Sequence, residues 1–259
     1  MQNRIRDWLS LADPQSNHLA ARKLYQYGTG RWFTEGKEFQ DWLKADKSFL
    51  WLYGIPGAGK TILSSTVIEH VSAKFAKEQG PILAYFYCDF RQVSKQISTN
   101  LIGSIIWQIA NQNPSVSQDV QDFFSVKFQD GPPKLSNLLN LLRHLLRRIP
   151  KLAIVVDALD ECTDSLQVVM LETLSRLSGI NKVNLLVVSR DHLNIKLQFE
   201  GLPSLGIQKK DVAKDIELYA AHEIERNGKL KRQSSYIKRQ IVDALIKGAL
   251  GMCVMVPTP

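Results

Sequence analysis

Five short apolar runs lie along the chain, and segments with helical spacing separate them. The runs occupy residues 49–53, 82–87, 152–156, 183–188 and 205–207. Their hydrophobic and polar positions alternate little, which is typical of strands buried on both faces of a sheet. Strands that take turns with helix-length segments predict a parallel, doubly wound α/β sheet with helices on both faces.

The other apolar positions recur at helical spacing. Residues 1 to about 46 are polar and helical, with a break at Gly28-Thr29-Gly30. Further helices are predicted over about 62–71, 96–111, 135–148 and 165–177. From Asp211 onward the pattern is helical, and it predicts no further strand. We therefore divide the chain into a helical lead-in (1–46), an α/β core (47–210) and the start of a helical domain (211–259) that we expect to be truncated.

A phosphate-binding motif stands between the first strand and the first core helix. The segment Gly54-Ile55-Pro56-Gly57-Ala58-Gly59-Lys60-Thr61 matches G-x-x-x-x-G-K-[ST], the P-loop, in its required strand–turn–helix context. Its glycines let backbone N–H groups turn toward an anion, and the helix N-terminus points at the same place. Lys60 adds a positive charge for the outer phosphates, and the Thr61 hydroxyl can ligate Mg²⁺. These eight residues predict a nucleotide site.

Acidic residues follow the third apolar run. Asp157 ends that run, where a Walker B carboxylate must lie to reach the Mg²⁺ held by Thr61. Asp160 and Glu161 come next, and an acid just past the metal ligand can orient or deprotonate the attacking water. The sequence does not choose between these two acids, and both could instead complement a helix N-terminus. Arg190 ends the next run, where a guanidinium could bind a γ-phosphate or simply face solvent.

Composition limits the partners. The formal net charge is +8, but no basic run is interleaved with aromatic residues, so we do not expect nucleic acid as a partner. No stretch approaches the roughly 18 apolar residues of a membrane span, and the N-terminus lacks the apolar core of a signal peptide. The three cysteines are odd in number and have no C-x-x-C spacing. Reduced thiols in a cytoplasmic protein are therefore expected.

Two P-loop classes are excluded by their other motifs. The segment Asn181-Lys182-Val183-Asn184 lacks the acid with which small GTPases bind guanine, and it precedes a strand. The segment Leu177-Ser178-Gly179-Ile180 departs from the Leu-Ser-Gly-Gly-Gln of cassette ATPases at its fourth place.

Together these motifs make the chain resemble the NACHT domain of STAND P-loop NTPases, as found in fungal NOD-like receptors and nephrocystin-3-like proteins. The resemblance spans about residues 4–250. It rests on the P-loop with Ile62-Leu63-Ser64-Ser65, on Tyr85-Phe86-Tyr87, on Asp157-Ala158-Leu159-Asp160-Glu161-Cys162, on Val187-Val188-Ser189-Arg190 and on Gly28-Thr29-Gly30-Arg31-Trp32-Phe33.

The resemblance implies an ASCE-type core, in which the sensor strand ending at Arg190 separates the Walker B strand from the P-loop strand. It implies a switch that binds ATP, with GTP still open, and Mg²⁺. Thr61 and Asp157 would hold the metal ion, Asp160 or Glu161 would position water, and Arg190 would sense the γ-phosphate. The stretch Arg31-Trp32-Phe33 would pack near the base or anchor the sheet edge. Expected partners are further copies of the chain or related signalling chains of an innate-immunity or heterokaryon-incompatibility type.

The departures from the family pattern leave several hypotheses open. Family members usually add an effector domain, a winged-helix domain and repeats, and this sequence shows none of them, so an incomplete gene product and a minimal module are both expected. The first hypothesis is a regulatory switch with slow ATPase activity. The second is a nucleotide-binding interaction module without useful turnover. The third is a DNA-associated P-loop ATPase.

Overall fold

The computed structural model describes residues 2–9, 12–77, 81–127, 131–249 and 252. Its helices and strands, in chain order, are α1 (Gln2–Leu9), α2 (Gln15–Lys23), α3 (Arg31–Thr34), α4 (Lys37–Lys44), β1 (Ser48–Tyr53), α5 (Lys60–Phe75), β2 (Ile82–Tyr87), α6 (Ser98–Gln112), α7 (Pro114–Lys127), α8 (Leu135–Leu145), β3 (Leu152–Asp157), α9 (Asp164–Ser178), β4 (Val183–Ser189), α10 (Leu193–Gln198), β5 (Ser204–Gly206), α11 (Lys209–Arg226), α12 (Gly228–Lys231) and α13 (Ser235–Ala249). Short 3-10 turns cover Val93–Gln96 and Leu159–Glu161.

The five strands form one parallel sheet in the order β2-β3-β4-β1-β5. Tyr53 at the end of β1 pairs with Ser189 of β4, and Tyr87 at the end of β2 pairs with Asp157 of β3. The predicted parallel five-stranded sheet is therefore confirmed. The sensor strand β4 lies between β3 and β1, as the resemblance implied, and this order brings the ends of all three strands to one edge.

Two apolar layers cover the sheet because alternate residues of each buried strand point to opposite faces. Ile154 and Val156 of β3 pack on the face covered by α1, α6, α7, α8 and α9. Ala153 and Val155 of the same strand pack on the face covered by α3, α4 and α5. Helices on both faces explain why the central strands read as continuous apolar runs.

A smaller apolar cluster joins the last helices to the P-loop. Val212 and Ile216 of α11 pack with Ala249 at the end of α13 and with Ala58 of the P-loop. The helical pattern from residue 211 onward thus corresponds to helices that lie beside the P-loop. The predicted ending at residues 253–259, including Cys253, lies outside the described residues.

Local boundaries differ from the sequence prediction in a few places. Helix α5 starts at Lys60, two residues before the predicted start, and directly follows Gly59, whose φ of 80° is readily adopted only by glycine. The six-residue helix α10 was not predicted, since it is shorter than a helical repeat can reveal. Cys88 and Cys162 are buried and free. Within the ranges described above, no helix has both the length and the apolar character needed to cross a membrane.

Candidate functional site

The P-loop connects β1 to α5, and its glycines have separate physical reasons. Gly57 and Gly59 have φ angles of 74° and 80°, which side chains with a Cβ rarely adopt. Gly54 has a different constraint, because a Cβ there would lie 3.1 Å from the Cβ of Ile207. The loop backbone therefore depends on glycine at Gly57 and Gly59, whereas a side chain at Gly54 would require Ile207 to shift.

Lys60 spans the loop that precedes it. Its Nζ donates hydrogen bonds to the carbonyl oxygens of Gly54 and Ile55, both at 2.9 Å. Burial lowers the pKa of Lys60, while the nearby carboxylates of Asp160 and Asp157 oppose that shift. A phosphate oxygen is a stronger partner for an ammonium group than a neutral carbonyl, so a bound phosphate would compete for Lys60.

Asp157 provides a buried carboxylate next to the start of α5. Only 2% of the residue is exposed, and its Oδ1 accepts a hydrogen bond of 2.8 Å from the Ser64 hydroxyl. Its Oδ2 is buried and has no hydrogen-bond partner in the part of the chain that the structure describes. Burial raises the pKa of Asp157 to about 6, although the hydroxyls of Thr61 and Ser64 and the charge of Lys60 oppose the shift.

This arrangement fits a hard cation. An unpartnered carboxylate oxygen beside a hydroxyl supplies the oxygen ligands that Mg²⁺ prefers. The described residues contain no group of three or more His, Cys, Asp or Glu side chains that could hold a metal ion by themselves. Mg²⁺ usually keeps several waters and binds together with substrate phosphates, so one carboxylate and one hydroxyl are sufficient. Ser64 lies four residues after Lys60, one helical turn further on the same face, and sequence reasoning gave it no separate role.

Asp160 and Arg190 are brought together and bind each other. Asp160 Oδ1 accepts a hydrogen bond of 2.8 Å from the Arg190 backbone N–H, and Oδ2 lies 3.0 Å from Arg190 Nε. The Asp160 side chain is 8% exposed, whereas that of Arg190 is 55% exposed. The sequence placed Arg190 at the end of one strand and Asp160 just after the end of another, but it did not predict this ion pair.

Glu161 has different surroundings. Its Oε2 accepts a hydrogen bond of 3.2 Å from the backbone N–H of Phe90, and the described residues show no ion pair to it. Burial raises the pKa of Glu161, and the charges of Asp89 and Asp160 add to that rise. The Phe90 N–H and the Arg190 charge oppose it. The two acids that the sequence could not separate are therefore chemically distinct.

Asp89 is a buried acid that sequence reasoning missed. It is 1% exposed, and its carboxylate accepts hydrogen bonds from Nε and Nη2 of Arg91 at 3.0 and 2.9 Å. A signal was present, because Cys88-Asp89 follows the second apolar run much as Asp157 ends the third. Asp89 contributes a charge near Glu161 from the loop that follows β2.

The lead-in lies against α5 and is tied to α11. Asp215 accepts hydrogen bonds from the backbone N–H of Gly30 at 2.9 Å and from Trp32 Nε1 at 3.1 Å. Gly30 has a φ of 76°, and a Cβ there would lie 2.8 Å from Cδ1 of Leu63. Phe33 is buried and its ring centroid lies 5.2 Å from that of Phe39. Phe33 is therefore a core anchor, while Trp32 is half-buried beside α11.

The strand order of the sheet and the P-loop motif together define a P-loop NTPase fold. The P-loop joins β1 to α5, the strand ending in Asp157 lies two strands away, and β4 separates them. The sequence model described as nephrocystin 3, N-terminal, matches residues 28–190, and the chain belongs to this family.

Of three similar solved structures, the first supports the fold alone because its sequence identity is low, and the other two have TM-scores under 0.5. A chain of Drosophila ORC bound to DNA has a TM-score of 0.51 at 13% identity, and the match covers 91% of this chain and 59% of that one. The Aeropyrum pernix ORC1 protein in complex with DNA has a TM-score of 0.45 at 15% identity, covering 96% and 62%. Domain III of Thermotoga maritima DnaA has a TM-score of 0.44 at 13% identity, covering 88% and 83%.

No curated protein sequence gives a significant match. The expectation that nucleic acid is not a partner is not confirmed and stays a prediction.

Proposed function

We propose that the chain is a nucleotide-dependent switch that binds ATP or GTP with Mg²⁺ and hydrolyses the γ-phosphate slowly, with self-assembly as its output. One observation carries the switch: Arg190, the residue proposed to bind the γ-phosphate, is paired with Asp160 at the same edge of the sheet. Membership of the nephrocystin-3 N-terminal family and the glycine geometry of the P-loop support nucleotide binding.

The phosphates would be held by the P-loop amides and by Lys60. A bound phosphate would replace the carbonyls of Gly54 and Ile55 as partners of the Lys60 ammonium group. Thr61 and Asp157 would hold Mg²⁺, which when bound neutralises charge on the outer phosphate oxygens. Ser64 would keep Asp157 oriented, because it leaves Oδ2 available and occupies Oδ1.

The switch would consist of an exchange of partners by Arg190. A guanidinium group pairs well with either a carboxylate or a phosphate, so the γ-phosphate would compete with Asp160 for Arg190. A diphosphate has no γ-phosphate and would leave the Arg190–Asp160 pair intact. In the triphosphate complex Arg190 would bind the γ-phosphate, so the ion pair that links the end of β4 to the turn after β3 would be lost. This rearrangement would be the signal for assembly.

Hydrolysis would use Glu161 as the base. Asp160 is already paired with Arg190, whereas Glu161 has no such ion pair within the described ranges and has a raised pKa. In the reaction the water oxygen would bond to the γ-phosphorus, and the bond from that phosphorus to the bridging oxygen would break. The water proton would pass to the Glu161 carboxylate. General base catalysis of this kind contributes about 10²- to 10⁴-fold.

The same ion pair also favours the second hypothesis, a nucleotide-binding interaction module without useful turnover. If Asp160 keeps Arg190 in the triphosphate complex, the developing charge on the γ-phosphate would lack its guanidinium partner. Binding would then occur with little hydrolysis.

The test compares the affinities of ATP, ADP, GTP and GDP for the wild type, Asp160→Asn and Arg190→Ala by titration calorimetry with Mg²⁺. Asp160→Asn removes the charge that competes for Arg190, so we expect the preference for triphosphate over diphosphate to rise by about tenfold, the value of one charge-assisted hydrogen bond. Arg190→Ala should abolish that preference. Arg226→Ala is the matched control, since Arg226 pairs with Glu223 on α11.

Two results would contradict the proposal. If the wild type binds none of the four nucleotides, the site assignment is wrong. If it binds them but neither variant changes the triphosphate preference, the Arg190–Asp160 pair is not the sensing element. Single-turnover hydrolysis by the wild type and by Glu161→Gln then separates the switch from the module without turnover.

A further inference from the structure

Gln96 is a buried amide that bridges two loops next to Glu161. It ends the 3-10 turn after β2 and is 1% exposed. Its Nε2 donates to the carbonyl oxygens of Asp89 at 3.3 Å and Phe90 at 3.2 Å. Its Oε1 accepts from the backbone N–H of Thr163 at 2.9 Å. Both donors and the acceptor of this side chain are therefore engaged.

The first of these loops holds the Glu161 carboxylate directly. The carbonyl of Asp89 and the N–H of Phe90 belong to the same peptide group, which is planar and trans. Gln96 donates a hydrogen bond to the oxygen of that peptide group. The N–H of the same peptide group, which belongs to Phe90, donates to Oε2 of Glu161 at 3.2 Å. Because the oxygen and the N–H of a trans peptide point in opposite directions, fixing one fixes the other.

The second loop carries the backbone of Glu161. Thr163 lies two residues after Glu161, between the 3-10 turn and α9. By accepting from the Thr163 N–H, Gln96 limits where that backbone can lie. One side chain therefore restrains both the backbone of Glu161 and the donor that orients its carboxylate.

We propose that Gln96 is a positioning residue for hydrolysis: it fixes the Glu161 carboxylate by holding the 89–90 peptide group and the Thr163 amide together. This inference rests on the proposed function, because it assigns a role within the same reaction. Gln96 touches neither nucleotide nor water in this role and acts through Glu161. A displacement of about 1 Å of a catalytic group can lower a rate by about 100-fold.

A purely structural role would also be consistent with burial, since each lost hydrogen bond in the interior lowers stability. The test therefore needs a readout that stability alone does not change. The pH profile of the rate supplies one, because the charged groups facing Glu161 are known: Asp89 and Arg91 after β2, Asp160 on its own turn and Arg190 after β4. None of these charges is altered by replacing Gln96.

The experiment measures single-turnover hydrolysis of Mg-ATP and ATP affinity in the full chain for the wild type, Gln96→Leu and Gln96→Asn. Gln96→Leu removes all three hydrogen bonds. Gln96→Asn keeps a neutral amide that is one methylene shorter and cannot bridge both loops, so it remains informative if the leucine variant does not fold. Gln108→Leu is the matched control, because Gln108 of α6 binds the N–H and C=O of Tyr85 on β2, away from Glu161.

We expect both Gln96 variants to hydrolyse ATP about 10- to 100-fold more slowly, with ATP affinity unchanged. The Phe90 hydrogen bond lowers the pKa of Glu161, so weakening it should move the acidic limb of the rate profile to higher pH. Gln108→Leu should lose stability without either change.

Equal rates and equal pH profiles for the Gln96 variants and the Gln108 control would overturn the inference and leave the proposed function standing. Wild-type binding without measurable turnover would overturn the inference together with the hydrolytic part of the proposed function. Absence of wild-type binding would overturn the proposed function itself, and the affinity measurement identifies that case.

Discussion

Replacement of Asp157 by Asn should stabilise the ligand-free protein while removing its response to Mg²⁺. Burial raises the pKa of Asp157 from its usual value of 3.8 to about 6. At about 1.4 kcal/mol per unit, the ionised carboxylate costs the folded state up to about 3 kcal/mol. Asn keeps an oxygen that can accept from Ser64 but carries no charge. Its own buried amide group costs about 1–2 kcal/mol, which leaves a net gain of at most about 1–2 kcal/mol.

The sign of the pH dependence follows from the raised pKa. Above about pH 6 the folded protein bears the full penalty, because Asp157 is ionised in a buried site. As the pH falls through 6 toward 4, the folded state takes up a proton before the unfolded state does, and the penalty disappears. The advantage of Asp157→Asn over the wild type should therefore be largest near pH 8 and absent near pH 4.

Urea unfolding of both proteins with a chelator, at several pH values between 4.5 and 8, measures this difference directly. For a chain of this size each kcal/mol corresponds to about 2–4 °C in melting temperature, so thermal unfolding gives a second measurement. Mg²⁺ with ATP at about 100 times its Kd should stabilise the wild type by about 2.7 kcal/mol and the variant by much less. Ser64→Ala serves as a control, since it removes the Oδ1 hydrogen bond and keeps the charge.

Two outcomes would refute the reasoning. One is a variant that is less stable than the wild type at pH 8 without ligands, because the buried charge would then cost less than its amide replacement. The other is a difference in the free energy of unfolding that stays constant between pH 4.5 and 8, because Asp157 would then not titrate in that range.

Three further perturbations follow from other contacts. Lys60→Ala should weaken ATP binding by about 10- to 100-fold in calorimetry, since one charge-assisted contact is worth about 1.5–3 kcal/mol. Gly103→Ala places a Cβ in steric overlap with the backbone oxygen of Leu9, so α1 should move off α6, lowering stability by about 1–3 kcal/mol and speeding proteolysis of the lead-in. Asp215→Ala leaves the indole N–H of Trp32 without its acceptor, so hydrogen exchange in the lead-in should become faster.

Each of these predictions has its own comparison. Lys74→Ala, near the other end of α5, should leave ATP affinity unchanged, and an equal loss in both lysine variants would contradict the P-loop role. Gly248→Ala meets nothing within 4 Å and should be neutral or stabilising, so a similar loss in both glycine variants would contradict the contact with α1. For Asp215→Ala, exchange in the lead-in no faster than in Lys214→Ala would contradict the tie to α11.

The site could be predicted only as far as its parts are local in sequence. The P-loop of this chain places three glycines, a lysine and a threonine within eight residues, and two of those glycines adopt a left-handed conformation. Gln96 offered no such signal, because it lies in a polar turn and its partners, Asp89 and Thr163, come from two separate loops. The likeness of Asp160 and Glu161 in sequence hid their difference, which comes from Arg190 and Phe90.

The sequence by itself determined the order of strands and helices, the parallel sheet and the place of the P-loop, because hydrophobic spacing and glycine requirements act over a few residues. It also placed Asp157 and Arg190 at the ends of two strands that are consecutive along the chain. Only the tertiary structure decided which side chains bind each other at that edge. Ser64 reaches Asp157 across 93 positions, and Arg190 reaches Asp160 across 30. Such pairings depend on the strand order and on burial, and the physical environment of each charge exists only once the sheet has formed.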